Sequence, residues 1–183
     1  FPWRPEEAVV LRAALAQNPA DSRAAYYLGN LLYDKKQYRA AIDLWKQAVA
    51  NDPGLSIAWR NLGLAAYNLD KDIEAALAYY EHSLAANPND PRTLLEQDNL
   101  FRRLPVAPEK RLQILESRLE VVERRDDLTV HRMALLNRTG RAAETLAIAA
   151  RRQFHAWEGG EGSVTGQYAY AHWILGREAL ERG

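Results

Sequence analysis

Residues 22–55 read SRAAYYLGNLLYDKKQYRAAIDLWKQAVANDPGL, and residues 56–90 repeat the same pattern as SIAWRNLGLAAYNLDKDIEAALAYYEHSLAANPND. Three Asn-Pro or Asp-Pro pairs, at residues 18–19, 52–53 and 87–88, lie 34 and then 35 residues apart. Self-similarity at a fixed period of this length is the signature of a protein built from stacked structural repeats. The pattern therefore predicts the fold class before any single residue suggests a function.

Within each repeat, small residues stand where two helices would cross, and a large aromatic residue stands beside the crossing. Gly29 and Gly63 are 34 residues apart, and Trp45 and Tyr80 occupy matching aromatic positions. Between these markers, apolar residues recur every three or four positions, which is the period of an amphipathic helix. The proline that follows each second helix cannot continue it and so ends it. Each repeat is thus predicted to be a helical hairpin.

These positions resemble the tetratricopeptide repeat family, whose pattern of about 34 residues places Trp, Leu-Gly, Ala, an aromatic residue and Pro in this order. The resemblance is specific over residues 20–90, which is about two repeats. It implies an all-α fold, a right-handed solenoid of antiparallel helical hairpins with about ten helices and no strands. It also implies that the first helix of each pair lines a concave groove.

The flanking sequence follows the same rhythm less regularly, and we expect one helical array over residues 1–183. A helix over 108–124 is expected in the third repeat, and Asp127 is a plausible N-cap for the helix that follows. Because the chain opens with Phe1, we interpret it as a piece of a longer protein. The predicted parts are repeats 22–55 and 56–90, degenerate repeats 91–124 and 127–153, a glycine-rich loop at 154–164, and the first helix of a further unit at 165–182.

The composition disfavours several classes of function. The chain has 24 basic and 24 acidic side chains and therefore lacks the basic surface typical of nucleic-acid binding. It has no cysteine and so no thiolate metal site. No apolar run approaches the roughly 20 residues that span a bilayer. We expect no cofactor, no metal, no nucleic-acid or membrane partner, a monomer, and a cytoplasmic location.

The predicted groove is rich in tyrosine, asparagine and arginine, which suit the recognition of a peptide segment. Tyrosine offers a large contact area, asparagine bonds an extended backbone, and arginine binds carboxylates. Several of these tyrosines could instead pack within the wall of the array. The predicted partner-binding residues are Arg23, Tyr26, Asn30, Tyr33, Arg60, Asn61, Leu64, Tyr67, Arg92 and Asn99.

Some members of the family bind the acidic C-terminus of a chaperone through a clamp of Lys, Asn and Arg side chains. Asn30, Asn61 and Arg92 match that clamp, but Tyr26 replaces a Lys and Glu96 replaces an Arg. A glutamate facing a bound carboxylate would repel it, so the sequence argues against a chaperone-tail ligand.

Residues 154–165, FHAWEGGEGSVT, raise a separate question, because a histidine, a tryptophan, two glutamates and three glycines crowd together. The stretch lacks the Gly-Lys-Ser/Thr of a phosphate-binding loop. It has no second histidine for a metal site, and no base is placed beside Ser163 or Thr165 for nucleophilic catalysis. We expect a connecting loop tethered by Trp157. Its candidate site residues are His155, Trp157, Glu158 and Glu161.

Two motifs also resemble a family of bacterial multidomain proteins in which mutarotase-like β-sandwich domains precede a tetratricopeptide array. They are Phe1-Pro2-Trp3-Arg4-Pro5 and the run from His155 to Gly162, with Ala156 where that family has Pro. The resemblance implies that the array docks on preceding domains. It also implies that the loop completes a carbohydrate-facing site, where a Trp ring would stack on a sugar.

From the sequence we therefore expect a non-enzymatic scaffold whose groove binds a protein or peptide segment, or preceding domains of its own chain. The alternative is an accessory domain of a carbohydrate-active protein, to which loop 154–165 contributes. No catalytic residues are predicted. His131 is interpreted as an ordinary helical histidine, and the pairs Arg102-Arg103, Lys110-Arg111 and Arg151-Arg152 as solvated faces.

Overall fold

The computed structural model describes residues 4–157 and 159–183, and in these ranges it contains eleven α-helices and no strand. The predicted all-α class and tetratricopeptide-like architecture are confirmed. A π-helical turn at Ala66–Asp70 extends the fourth helix. The helices are α1 (Pro5–Gln17), α2 (Ser22–Asp34), α3 (Tyr38–Asn51), α4 (Ser56–Ala65), α5 (Ile73–Ala86), α6 (Pro91–Phe101), α7 (Pro108–Glu116), α8 (Leu119–Val122), α9 (Asp126–Arg138), α10 (Ala142–Arg151) and α11 (Ser163–Arg182).

The chain divides into two compact units, residues 1–97 and residues 98–183. In the first unit, α2 packs against α3 and α4 against α5, while α1 covers α2 and α3 contacts α4. The hairpins thus bury their apolar faces on one another, as repeat proteins require. In the second unit, α9 packs against α7, α10 and α11, and α10 also packs against α11.

The three Asn-Pro and Asp-Pro pairs form the same turn three times. The side-chain Oδ1 of Asn18, Asp52 and Asn87 accepts a hydrogen bond from the backbone N–H two residues later, at 3.2, 3.0 and 3.2 Å. The intervening proline has no N–H to offer, and Asn and Asp favour such local bonds at chain reversals. This shared turn explains why each repeat is punctuated at the same place.

Both repeat glycines allow a helix to approach an aromatic ring closely. A Cβ atom at Gly29 would lie 2.6 Å from the Trp45 ring, and one at Gly63 would lie 2.6 Å from the Tyr80 ring. Neither ring can give way easily, because Trp45 and Tyr80 are 3% and 2% exposed. The close crossing of the two helices in each hairpin therefore depends on a residue without a side chain.

We expect Gly63→Ala to lower the free energy of unfolding by about 1–3 kcal/mol, the usual cost of overpacking a core. Alanine is the better helix former by about 1 kcal/mol, so an unhindered site would change in the opposite direction. Gly176 in α11 is the matched control, because a Cβ there meets no atom within 4 Å. Urea denaturation of both variants checks the prediction, and a stabilised Gly63→Ala would contradict it.

The second unit corrects two predicted helix boundaries. The helix expected over 108–124 is divided into α7 and α8, with Arg118 between them in a non-helical conformation. The helix α9 begins at Asp126 with Arg125 as its N-cap residue, not at Leu128 with Asp127 as the cap. The Asp127 carboxylate accepts from the Arg125 guanidinium, at 2.9 and 2.6 Å, and from the backbone N–H of Leu128 at 2.8 Å.

Candidate protein-binding surfaces

In the first unit, a pair of asparagines joins the helices that open successive repeats. Oδ1 of Asn30 accepts from Nδ2 of Asn61 on α4 at 2.8 Å and from Nε1 of Trp45 on α3 at 3.0 Å. Tyr26 lies one turn earlier on α2 and is 5% exposed. Burial raises the pKa of its phenol, and a hydrogen bond with Asn30 offsets part of that effect. The α2 and α4 residues at this face are therefore held at a fixed spacing.

Arg60 extends this row but already has a partner. Its Nε and Nη2 donate to the two carboxylate oxygens of Glu96 at 2.9 and 2.5 Å, and Arg60 is 8% exposed. Arg92, one turn earlier on α6, approaches the same carboxylate at 3.4 Å. Two cations thus surround Glu96. This is the glutamate on which the argument against a chaperone-tail ligand rested, and its charge is neutralised within the protein.

The predicted groove residues differ widely in exposure. Tyr33 packs against the rings of Tyr38 and Trp45, at centroid distances of 4.9 and 5.1 Å, so it is largely part of the wall. Tyr27 on α2 and Ile57 on α4 lie next to predicted groove residues, and they are 37% and 41% exposed. Tyr26 and Arg60 are buried, Arg23 and Arg92 are exposed, and Asn30, Tyr33, Asn61, Leu64, Tyr67 and, in the second unit, Asn99 are half-buried.

The loop after α10 is anchored by one carboxylate that the sequence did not single out. Asp126 accepts from Nε and Nη2 of Arg152 at 2.8 and 2.6 Å, and from N and Nδ1 of His155 at 2.9 and 3.1 Å. Burial alone would raise the pKa of Asp126, but these bonds outweigh it and hold the pKa below its ordinary value. His155 is thus a tether, and Arg152 belongs to this anchor rather than to a solvated face.

Three glycines shape the rest of the loop, each for a definite reason. Gly159 and Gly162 have φ of 76° and 73°, in the left-handed region that glycine adopts at little cost. The Trp157 ring lies directly over Gly160, where any Cβ would overlap it. Of the other candidate residues, Glu161 is exposed, and Glu158 lies outside the described residues.

A buried polar cluster in the second unit contradicts the interpretation of Arg111 as a solvated residue. Arg111 and Asp98 are 5% and 2% exposed and form a bidentate ion pair at 2.9 and 2.8 Å. His131 Nδ1 lies 2.7 Å from Asp98 Oδ2, and its Nε2 lies 3.3 Å from Nη1 of Arg102. Arg111 is therefore no solvated residue, and His131 is not an isolated one. The partners of Asp98 lie 13 and 33 positions away in the chain, so no periodic signal in the sequence placed them together.

A cavity of about 370 Å³ opens beside this cluster. Its wall combines the cations Arg102, Arg111 and Arg138 with His131 and the loop residue Trp157. Val130, Ala134, Leu135, Ser163 and Gln167 complete most of the remaining wall. The described residues contain no group of three or more histidine or acidic side chains arranged to hold a metal ion.

The fold and these surfaces define a helical-repeat protein, and comparison with known proteins assigns the repeat type. The tetratricopeptide repeat family matches residues 4–56 and 29–91. Residues 4–91 therefore contain tetratricopeptide repeats, as the sequence predicted. The resemblance to the multidomain family with mutarotase-like domains is not supported by these matches, nor is the carbohydrate-facing alternative.

Among curated proteins, the type IV pilus assembly protein PilF of Pseudomonas aeruginosa is 32% identical over 100 residues. The match covers 53% of this chain and 39% of PilF, so the chain spans about two fifths of the length of that relative. None of the helices in the described residues is both long and apolar enough to cross a membrane.

Solved structures share the fold at low sequence identity. YrrB, a TPR protein with an unusual peptide-binding site, superposes with a TM-score of 0.67 at 19% identity, covering 96% of this chain and 84% of YrrB. MamA superposes with a TM-score of 0.58 at 14% identity, covering 94% of this chain and 89% of MamA. At these identities the matches show a shared fold.

Proposed function

We propose that the first unit binds an extended peptide segment of a partner protein across the face formed by α2 and α4. One observation carries the proposal: Tyr27 and Ile57, both exposed, flank the bonded pair Asn30 and Asn61 on adjacent helices. Exposed apolar side chains supply contact area, and half-buried amides supply hydrogen bonds to a peptide backbone. The chain thereby acts as a scaffold that holds another protein.

The relatives favour the same role. YrrB is a TPR protein with a peptide-binding site, and PilF is a pilus assembly protein, so similar chains serve binding and assembly. Arg23 on α2 is an exposed cation on this face, available to an acidic residue of the peptide, whereas Arg92 on α6 approaches Glu96. Arg60 does not contribute in this way, because Glu96 neutralises it.

The test begins with a random-peptide phage library panned against the purified chain. Peptides that bind are synthesised, and their dissociation constants are measured by fluorescence anisotropy. We expect Tyr27→Ala and Ile57→Ala each to weaken binding about tenfold, which corresponds to about 1.4 kcal/mol.

Val10→Ala is the matched control, since Val10 is an apolar residue of α1 that is 69% exposed and lies at none of the proposed contact positions. It should leave the affinity unchanged. If selected peptides bind Tyr27→Ala and Ile57→Ala as tightly as the unmodified chain, the α2–α4 face is not the peptide site.

A further inference from the structure

We propose that the cavity of the second unit, walled by Arg102, Arg138, His131 and Trp157, is a separate binding site for the C-terminal residue of a partner chain, with a free carboxylate and an apolar side chain. The cavity measures about 370 Å³ and is lined entirely by residues of this unit. That volume is at the small end of ordinary ligand pockets and suits one or two residues of an entering chain.

The charges of the wall favour an anionic group. Asp98 neutralises Arg111 through its bidentate ion pair, and Arg125 neutralises Asp127 in the same way. Arg102 and Arg138 then remain as exposed cations, and no acidic side chain of the described residues pairs with either one in the structure. Two guanidinium groups can bind a carboxylate with several charge-assisted hydrogen bonds. The Asp127 carboxylate in the wall is balanced by Arg125 and adds no net charge.

His131 helps to hold one of these cations in position. The Asp98 carboxylate accepts from Nδ1–H of His131, which leaves Nε2 to accept from Nη1 of Arg102 at 3.3 Å. Burial would raise the pKa of Asp98, but the bonds from His131 and Arg111 outweigh it, so this carboxylate is ionised at neutral pH. A series of hydrogen bonds therefore orients Arg102, running from Arg102 through His131 to the buried ion pair of Asp98 and Arg111.

One side of the wall is apolar, and a bare anion would not use it. Val130, Ala134 and Leu135 line the α9 side, and the indole of Trp157 faces them from the loop. The position of the ring depends on Gly160, since a Cβ there would displace it. An apolar side chain next to the bound carboxylate would be covered by these groups. This combination identifies the ligand as a chain terminus rather than an inorganic anion.

The test titrates the ¹⁵N-labelled chain with the peptide acetyl-Gly-Ser-Gly-Leu carrying a free carboxylate, and follows the indole N–H resonance of Trp157, assigned with Trp157→Phe. We expect a saturable shift, and at least tenfold weaker binding of the same peptide with a C-terminal amide. Arg138→Gln should weaken binding of the free acid by about tenfold, an effect of about 1.4 kcal/mol.

Gly160→Ala tests the apolar wall without removing a charge, and it should also weaken binding several-fold. Gly166→Ala, which places a methyl group in open space in α11, and Arg12→Gln on α1 should leave binding unchanged. Absence of a saturable shift at peptide concentrations up to about 10 mM would overturn the proposal. Equal binding of acid and amide, or equal competition by inorganic phosphate, would overturn it too. Tyr27 and Ile57 are not in this wall, so the outcome is independent of the α2–α4 face.

Discussion

Replacing Asp98 by alanine is expected to lower the free energy of unfolding by about 3–5 kcal/mol, because it leaves the Arg111 guanidinium buried without its counter-ion. Arg111 is 5% exposed and donates two hydrogen bonds to Asp98. His131 loses its acceptor at the same time. Urea denaturation followed by circular dichroism measures the effect.

Replacing both partners distinguishes the cost of an unpaired charge from the cost of lost packing. Since the cost comes from the unpaired cation, the double variant Asp98→Ala, Arg111→Leu should be clearly more stable than Asp98→Ala alone. Asp70→Ala is the matched control: Asp70 also receives two hydrogen bonds from an arginine, Arg39, but at the exposed surface. Such pairs contribute little, and the control should be close to wild type. Equal losses in both single variants would contradict the assignment.

The same ion pair gives stability a defined pH dependence. Burial favours the neutral form of Asp98, but the bonds from His131 and Arg111 outweigh it, so the pKa is lower in the folded state than in the unfolded chain. A lowered pKa stabilises the fold at pH values above the ordinary carboxyl pKa, and this contribution is lost as the pH falls through the folded-state value. Asp98→Asn should therefore flatten the acid side of the stability profile.

The sequence predicted the first unit well because its determinants are local and periodic. The glycine-to-aromatic contacts of Gly29 and Gly63, and the turn formed at each Asn-Pro or Asp-Pro pair, recur at a fixed interval that can be read without a structure. Exposure along the groove was harder to predict. The positions of Tyr26 and Arg60 follow from helical period, but their burial depends on neighbours in other repeats.

In the second unit the important contacts join residues far apart in the chain. Asp98 stands where the repeat pattern has a glycine. This departure was the one local indication that the helices of this repeat do not cross as they do at Gly29 and Gly63. Its partner Arg111 looked like an ordinary surface cation because it adjoins Lys110. The role of Asp126 as the anchor of residues 152 and 155 likewise has no periodic signal. The tethering of the loop by Trp157 stays a prediction, because its ring lies over Gly160 of the same loop, three residues away.

Replacing Trp45 by alanine should have a comparably large effect, about 3–5 kcal/mol, since it empties the space beside the helix crossing. Trp45 is 3% exposed, fills the gap left by Gly29, and packs within the core that joins the first two hairpins. Trp45→Phe keeps most of this volume but removes the Nε1–H donor to Asn30, so it should cost less, about 1–2 kcal/mol.

The two Trp45 variants test the proposed peptide face as well as stability. Asn61 still donates to Asn30 Oδ1 in Trp45→Phe, so this acceptor keeps a partner and the amide pair between α2 and α4 remains joined. Peptides selected on the unmodified chain should therefore bind Trp45→Phe nearly as well, although its unfolding midpoint in urea is lower. Trp173→Ala is the matched control, because Trp173 is 55% exposed on α11 and its removal should change the unfolding free energy by less than about 1 kcal/mol. A Trp45→Ala variant as stable as Trp173→Ala would mean that the aromatic residue beside Gly29 does not hold the hairpin together.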